Sequence, residues 1–252
     1  MKKNKWVLYI LCCGSIGFMA GMAGYFYPNI FANKEDNVYF EKYKDYFLHT
    51  PQGKALRTVL NDKPIDVVLP EVNESTKRHI IQGIKNLDSI SENINYTIYS
   101  EKDYTSNSIN RIDFRVVDYI DEKVVGQTQI NFDKTTGKIF YPIKIEIEKK
   151  FDEMYWDKEQ TNSVLTTIVE HELGHTLGLR DLYEKEEINQ SVMYGKLSPN
   201  NPVQTYTERD KEIIQYCYDG KLMQDSENAL LTANITLPQY NTIYYVENKE
   251  KE

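Results

Sequence analysis

The chain has 252 residues, 40% of them hydrophobic and 27% charged, which suits one core of ordinary size with appendages. Its formal charge is -8, and because Lys2, Lys3 and Lys5 precede the first apolar run, the remainder carries 27 basic against 38 acidic residues. That surplus of carboxylates repels phosphate backbones and argues against nucleic acid as a partner. Two of the three cysteines, Cys12 and Cys13, sit in the apolar run, so Cys217 alone offers no intrachain disulfide framework.

Trp6 to Phe26 is a run of 21 residues without a charge. At 1.5 Å per residue it covers roughly the 30 Å hydrocarbon layer. The lysine flank, residues 1–5, favours the cytoplasmic side and directs everything beyond residue 27 outward, so residues 6–27 are expected to be a transmembrane signal anchor. The competing expectation is a secreted protein released by signal cleavage, with Gly21 and Ala23 as the small residues of a cleavage site. Gly17 and Gly21 form a small-xxx-small pair, weak ground for helix dimerisation, and the oligomeric state is left open.

Residues 28–61 are polar and aromatic and read as a stalk or linker, with Tyr39, Phe40, Tyr43, Tyr46 and Phe47 near helical spacing. A folded domain is expected over 62–220. Its first strand is Ile65 to Leu69, a continuous apolar run of the kind buried on both faces. Over residues 75–92, Ile80, Ile84 and Leu87 repeat at 3.6 periodicity and predict a helix capped by Asn73 or Ser75. Strands are expected at Tyr96 to Tyr99, Ile112 to Tyr119 and Ile139 to Glu148, with a turn at Lys134 to Gly137. In the last strand, Ile143, Ile145 and Ile147 alternate with Lys144, Glu146 and Glu148, which reads as an exposed or edge strand.

Residues 161–181 read TNSVLTTIVEHELGHTLGLRD. Leu165, Val169, Leu173 and Leu177 form one apolar row of a helix, and Val164, Ile168, His171 and His175 form the next. Two histidines four apart therefore point the same way, as a zinc ion requires of imidazole ligands. Gly178 permits the backbone turn that brings Asp181 back as a third, carboxylate ligand. Glu172 then stands beside the metal rather than on it, placed to act as general base toward water activated by the zinc. The alternatives for Asp181 are a surface acid beside Arg180, with Glu184, Glu186 or Glu187 as ligand in its place. His49 and His79 read as surface or partly buried residues, and no loop of spaced carboxylates predicts calcium.

The run His171-Glu172-Leu173-Gly174-His175-Thr176-Leu177-Gly178-Leu179-Arg180-Asp181 resembles the extended zinc signature of the metzincin metallopeptidases, nearest to their matrixin-like bacterial branch. It departs from most members in carrying Asp181 where they carry histidine. Ser191-Val192-Met193-Tyr194 is similar to the family's Met-turn, and Thr207-Glu208-Arg209-Asp210 to the start of its final helix, which carries Ile213, Ile214 and Cys217. The resemblance spans residues 62–220 and implies an α+β fold with a twisted mixed sheet, an active-site helix and a small C-terminal subdomain. It also implies an edge strand that pairs with extended substrate, for which Ile139 to Glu148 is the candidate.

The function expected is a Zn²⁺-dependent endopeptidase acting on peptide or protein substrates outside the cell, with the membrane as a partner through the N-terminal helix. The alternative is a catalytically silent surface protein that keeps the zinc fold as a binding, maturation or immunity module. Intact Glu172 speaks against it. Residues 221–252 are a C-terminal extension that the motif leaves unexplained.

Overall fold

The structure, a computed structural model, describes residues 43–218 apart from 52, 54, 59–63, 122–123, 157–162, 185–189 and 197–202, together with Ile243–Val246. The expected membrane helix at 6–27 and most of the extension at 221–252 lie outside the described residues. Among the described residues no helix is long and apolar enough to cross a membrane.

The elements are β1 (Arg57–Thr58), β2 (Ile65–Leu69), α1 (Glu74–Asp88), β3 (Tyr96–Ser100), β4 (Arg111–Val117), β5 (Gly126–Phe132), β6 (Lys138–Glu148), α2 (Val164–Thr176), α3 (Glu208–Tyr218) and β7 (Ile243–Val246). The strands form one sheet in the order β3-β2-β4-β6-β5-β7. From β3 to β6 neighbours run parallel, and β5 returns antiparallel on β6 with Thr128 opposite Ile145. β7 pairs antiparallel with the other side of β5, and β1 pairs parallel with the start of β6.

Local chemistry accounts for these elements. All five residues of β2 are buried, as a strand with parallel neighbours and covered faces requires. The Asn73 side chain accepts the Thr76 amide at 2.8 Å, satisfying one of the orphan donors at the start of α1. Ile80, Ile84 and Leu87 of that helix are buried in the common core, each contributing about 1.5–3 kcal/mol of gross hydrophobic stabilisation.

α1 packs on α2, which lies against β5 and β6 and is buried at every position except Thr166. The two apolar rows of α2 are thus part of a helix covered on all sides, not one stripe on a surface helix. Its polar residues, including His171, Glu172 and His175, are held inside the domain.

Two features differ from expectation. β6 is not an edge: β4 runs along one side and β5 along the other, and Ile143, Ile145 and Ile147 are fully buried. Its alternation reports a wet face carrying Lys144 and Glu146, though not Glu148, which is fully buried and accepts the Ile120 amide, and a sheet's face is perpendicular to its hydrogen-bonding edge. The second concerns residues 43–58, assigned to the stalk. Tyr43, Phe47 and Leu56 are buried in the main core, and the Thr58 hydroxyl donates to the Thr176 carbonyl.

Candidate metal centre

α2 ends on a glycine because its continuation must turn sharply. Gly178 has φ +92°, and the amides of Gly178 and Leu179 donate to the His175 and Gly174 carbonyls at 3.0 and 3.2 Å. These are the two hydrogen bonds of a Schellman cap. A Cβ at Gly178 would overlap the Leu56 carbonyl oxygen, so both the dihedral and the space demand glycine. The chain beyond the cap is clamped from the N-terminal side, with Leu48 donating to Gly178 and Arg180 to Tyr46 through backbone bonds of 2.8 and 2.9 Å. That path returns Asp181 to the last turns of α2.

The structure brings His171, His175 and Asp181 together. The two histidine Nε2 atoms lie 3.1 Å apart, and Asp181 Oδ1 lies 3.0 Å from His171 Nε2 and 3.7 Å from His175 Nε2. Both Nδ1 atoms are engaged elsewhere. His171 Nδ1 donates to the Val192 carbonyl at 2.9 Å, and His175 Nδ1 to the Leu179 carbonyl at 2.8 Å. Because a carbonyl only accepts, each Nδ1 carries its proton, and a neutral ring then presents the Nε2 lone pair to the common point.

This donor set fits a metal ion. Two imidazole lone pairs and a carboxylate oxygen converge within hydrogen-bond distances, an arrangement that is repulsive unless a cation or proton stands among them. Tetrahedral zinc with Zn–N bonds of about 2.0–2.1 Å separates its nitrogen ligands by about 3.3–3.4 Å, close to the spacing observed. His171, Glu172 and His175 likewise offer ligand-capable atoms that all lie within 4.8 Å of one another.

Titration in the absence of a cation points the same way. Burial disfavours the charged imidazole of His171, but the Asp181 carboxylate and Glu172 outweigh it and bring the group up to about 9. Burial lowers His175 to about 4, with the charge on His171 adding to the effect against the pull of Asp181. Asp181 goes down despite its burial, because both histidines favour its charged form. A carboxylate held ionised beside an imidazole held neutral is the donor state that a metal ion takes.

Glu172 is 1% exposed, and burial raises it to about 7 against the opposing effects of His171 and Thr128. Thr128 donates its hydroxyl to Glu172 Oε2 at 2.7 Å. Met193 is 2% exposed, and its sulfur rests where a Cβ on Gly174 would stand. Asp210 holds this turn in place by accepting the Ser191 hydroxyl and, at 2.9 Å, the Val192 amide. It also accepts the Thr207 amide, while Thr207 Oγ1 accepts the Asp210 amide, a reciprocal cap that starts α3.

Of the other residues considered, Glu184 pairs with Arg180 at 3.0 Å on the surface, and Glu186 and Glu187 lie outside the described residues. His49 is exposed, while His79 is partly buried beside Tyr155, its pKa lowered chiefly by burial. Sequence reasoning missed Thr128 and also Tyr183, whose hydroxyl hydrogen-bonds to Asp181. Thr128 was legible in part, since Thr128, Ile130 and Phe132 alternate with polar residues just before a turn.

No protein-family model matches the sequence, and no curated protein matches it either. Among solved structures, the crystal structure of myroilysin aligns with 69% of this chain and 94% of its own, at 13% identity and a TM-score of 0.37. A likeness at that level adds nothing to the site, whose reading stands on its own side chains.

Proposed function

We propose that this chain is a zinc-dependent endopeptidase of the metzincin kind, with His171, His175 and Asp181 holding the metal and Glu172 as general base. The observation that carries the reading is the convergence of two Nε2 lone pairs and a buried carboxylate, each imidazole fixed by a backbone carbonyl. Fixing of this kind orients imidazole ligands and sets their tautomer. Zinc there supplies Lewis acidity, which polarises a peptide carbonyl and makes water acidic enough to lose a proton near neutral pH.

The protein supplies the rest. Glu172, buried and near neutrality without a cation, accepts the proton from water at its carboxylate and delivers it to the leaving amine. Extended substrate takes the outer side of β5, the strand whose Thr128 reaches Glu172, in place of Ile243–Val246, the segment that pairs antiparallel along that side in the structure. Such pairing engages backbone on both sides of a scissile bond and so favours internal cleavage. The uncharged run after the lysine flank supports tethering at the outer face of a membrane.

Zinc content and hydrolysis of a broad peptide library by the full chain, Glu172→Ala and Asp181→Ala test the proposal. Wild type should carry zinc and cleave. Glu172→Ala should keep zinc and lose activity by about 10²–10⁴-fold, and Asp181→Ala should lose zinc. Zinc without cleavage refutes the enzyme, and wild type without zinc refutes the site.

A further inference from the structure

Glu172 is gripped by a strand as well as carried by a helix. Thr128, in the middle of β5, is fully buried, and its hydroxyl lies 2.7 Å from Glu172 Oε2 and 3.0 Å from the Glu172 carbonyl oxygen. Two residues earlier on the same strand face, a Cβ at Gly126 would lie 2.6 Å from Glu172 Oε1 and 3.0 Å from its Cδ. Each carboxylate oxygen therefore meets one residue of β5. Oε2 is bonded, and Oε1 occupies the space left by a missing side chain.

We infer that Thr128 is a positioning residue for the base and that Gly126 provides its clearance, so that the paired strand β5 determines which oxygen of Glu172 faces the reaction. The inference rests on the peptidase reading. A glutamate carboxylate turns in a broad, roughly two-fold torsional well, and left free it offers either oxygen in a range of orientations. Bonding Oε2 to a hydroxyl on a paired strand removes that freedom and leaves Oε1 in one place. Proton transfer needs the base within hydrogen-bond reach, and a misplacement of about 1 Å costs on the order of 10²-fold in rate.

A hydroxyl suits the task because it both donates and accepts. It donates to the carboxylate, and when the proton sits on Oε2 it accepts from that oxygen while its own hydrogen turns to the Glu172 carbonyl. The contact therefore persists in either case. β5 cannot easily yield in place of the side chain, because Gly126 and Thr128 are registered opposite Ile147 and Ile145 of β6. A methyl group at position 126 must then displace the carboxylate rather than the strand.

The test compares Thr128→Val, Thr128→Ser and Gly126→Ala in the full chain, measuring zinc content, kcat and KM on a cleaved peptide, and the carboxylate position by crystallography. We expect Thr128→Val and Gly126→Ala to keep zinc at the wild-type level and KM within about twofold, while kcat falls by about 10- to 100-fold. Thr128→Ser should stay within about threefold of wild type, a rescue that loss of packing would not produce. Full kcat in Thr128→Val, or an equal loss in Thr128→Ser, overturns the inference. If Thr128→Val does not fold, Gly126→Ala decides: wild-type kcat overturns, and a lowered kcat at unchanged KM supports. If wild type itself cleaves nothing, the peptidase reading fails separately, and crystal structures of wild type and Gly126→Ala decide the positioning. A shifted carboxylate then supports it, and an unshifted one overturns it.

Discussion

Glu170 and Glu172 are two apart on α2, and that spacing turns their side chains about 200° from each other around the helix. Burial raises both to about 7, but their partners differ. Glu172 faces Thr128 and the histidines, whereas Glu170 accepts from the Asn86 amide of α1 on the opposite side. Glu170 therefore carries a cost that the site does not require. Its folded pKa lies above the unfolded value of about 4.3, so the folded chain binds the extra proton between those values and stability declines as pH rises through that window. Glu170→Gln removes the share of the decline that Glu170 contributes. Urea denaturation should show Glu170→Gln equal to wild type near pH 4 and more stable by about 1–3 kcal/mol at pH 8. Equal stability at pH 8 would exclude a buried charge at Glu170.

At the scale of the element, the end of α2 is the most constrained stretch. Gly178→Ala puts an L side chain at φ +92° and its Cβ against the Leu56 carbonyl, with Asp181 three residues beyond. We expect it to cost about 2–4 kcal/mol in thermal or chemical denaturation and to weaken zinc retention, since the turn and the ligand share one path. Unchanged stability would mean that the Schellman cap is dispensable.

How much of each element was legible depended on where its information lies. β2, α1 and α2 announced themselves through apolar patterning carried by adjacent residues, and α3 through the resemblance of Thr207 to Asp210 to the start of a metzincin final helix. β5 did not, because Gly126 and Thr128 fill two of its four inward positions and leave Ile130 and Phe132 as its only apolar residues. That same threonine turns inward toward Glu172, a partner 44 residues away, for which a single sequence holds no local sign. The misplacement of β6 has another cause. Alternation measures which faces are wet, and lateral order in a sheet depends on pairing between distant segments.

For the whole molecule, the domain is closed by its N-terminal part. Phe47 is 2% exposed, and its neighbours Tyr46 and Leu48 bond through their backbones to Arg180 and Gly178, joining residues 43–58 to the metal turn. Phe47→Ala should therefore cost about 3–5 kcal/mol, read by urea denaturation, although it lies more than 120 residues before the motif. A loss under about 0.5 kcal/mol would show the segment to be a mere stalk. Metal linkage at the proposed centre is tested on the same scale. Removing zinc with a chelator should lower the melting temperature, by the equivalent of about 2.7 kcal/mol when free zinc stands at 100 times its Kd. The shift should vanish in Asp181→Ala, and a chelator-insensitive wild type would count against a metal centre.

Read as a string, the chain already contained the histidine pair, the carboxylates Glu172 and Asp181 and the glycine between them, because helical spacing and a short turn relate them within 11 residues, while Met193 was legible only through the resemblance of Ser191 to Tyr194 to a metzincin Met-turn. The same local patterns placed β2, α1, β3, β4 and β6 within a few residues of their observed bounds. What awaited the fold was everything carried by distant contacts: β6 in the middle of the sheet, the burial of Phe47 and Leu56, the backbone carbonyls that set the imidazole tautomers, and Thr128 on the base. Periodicity and capping are properties of neighbours along the chain. Strand order and the partner of a buried hydroxyl are settled by packing among segments that the sequence keeps far apart.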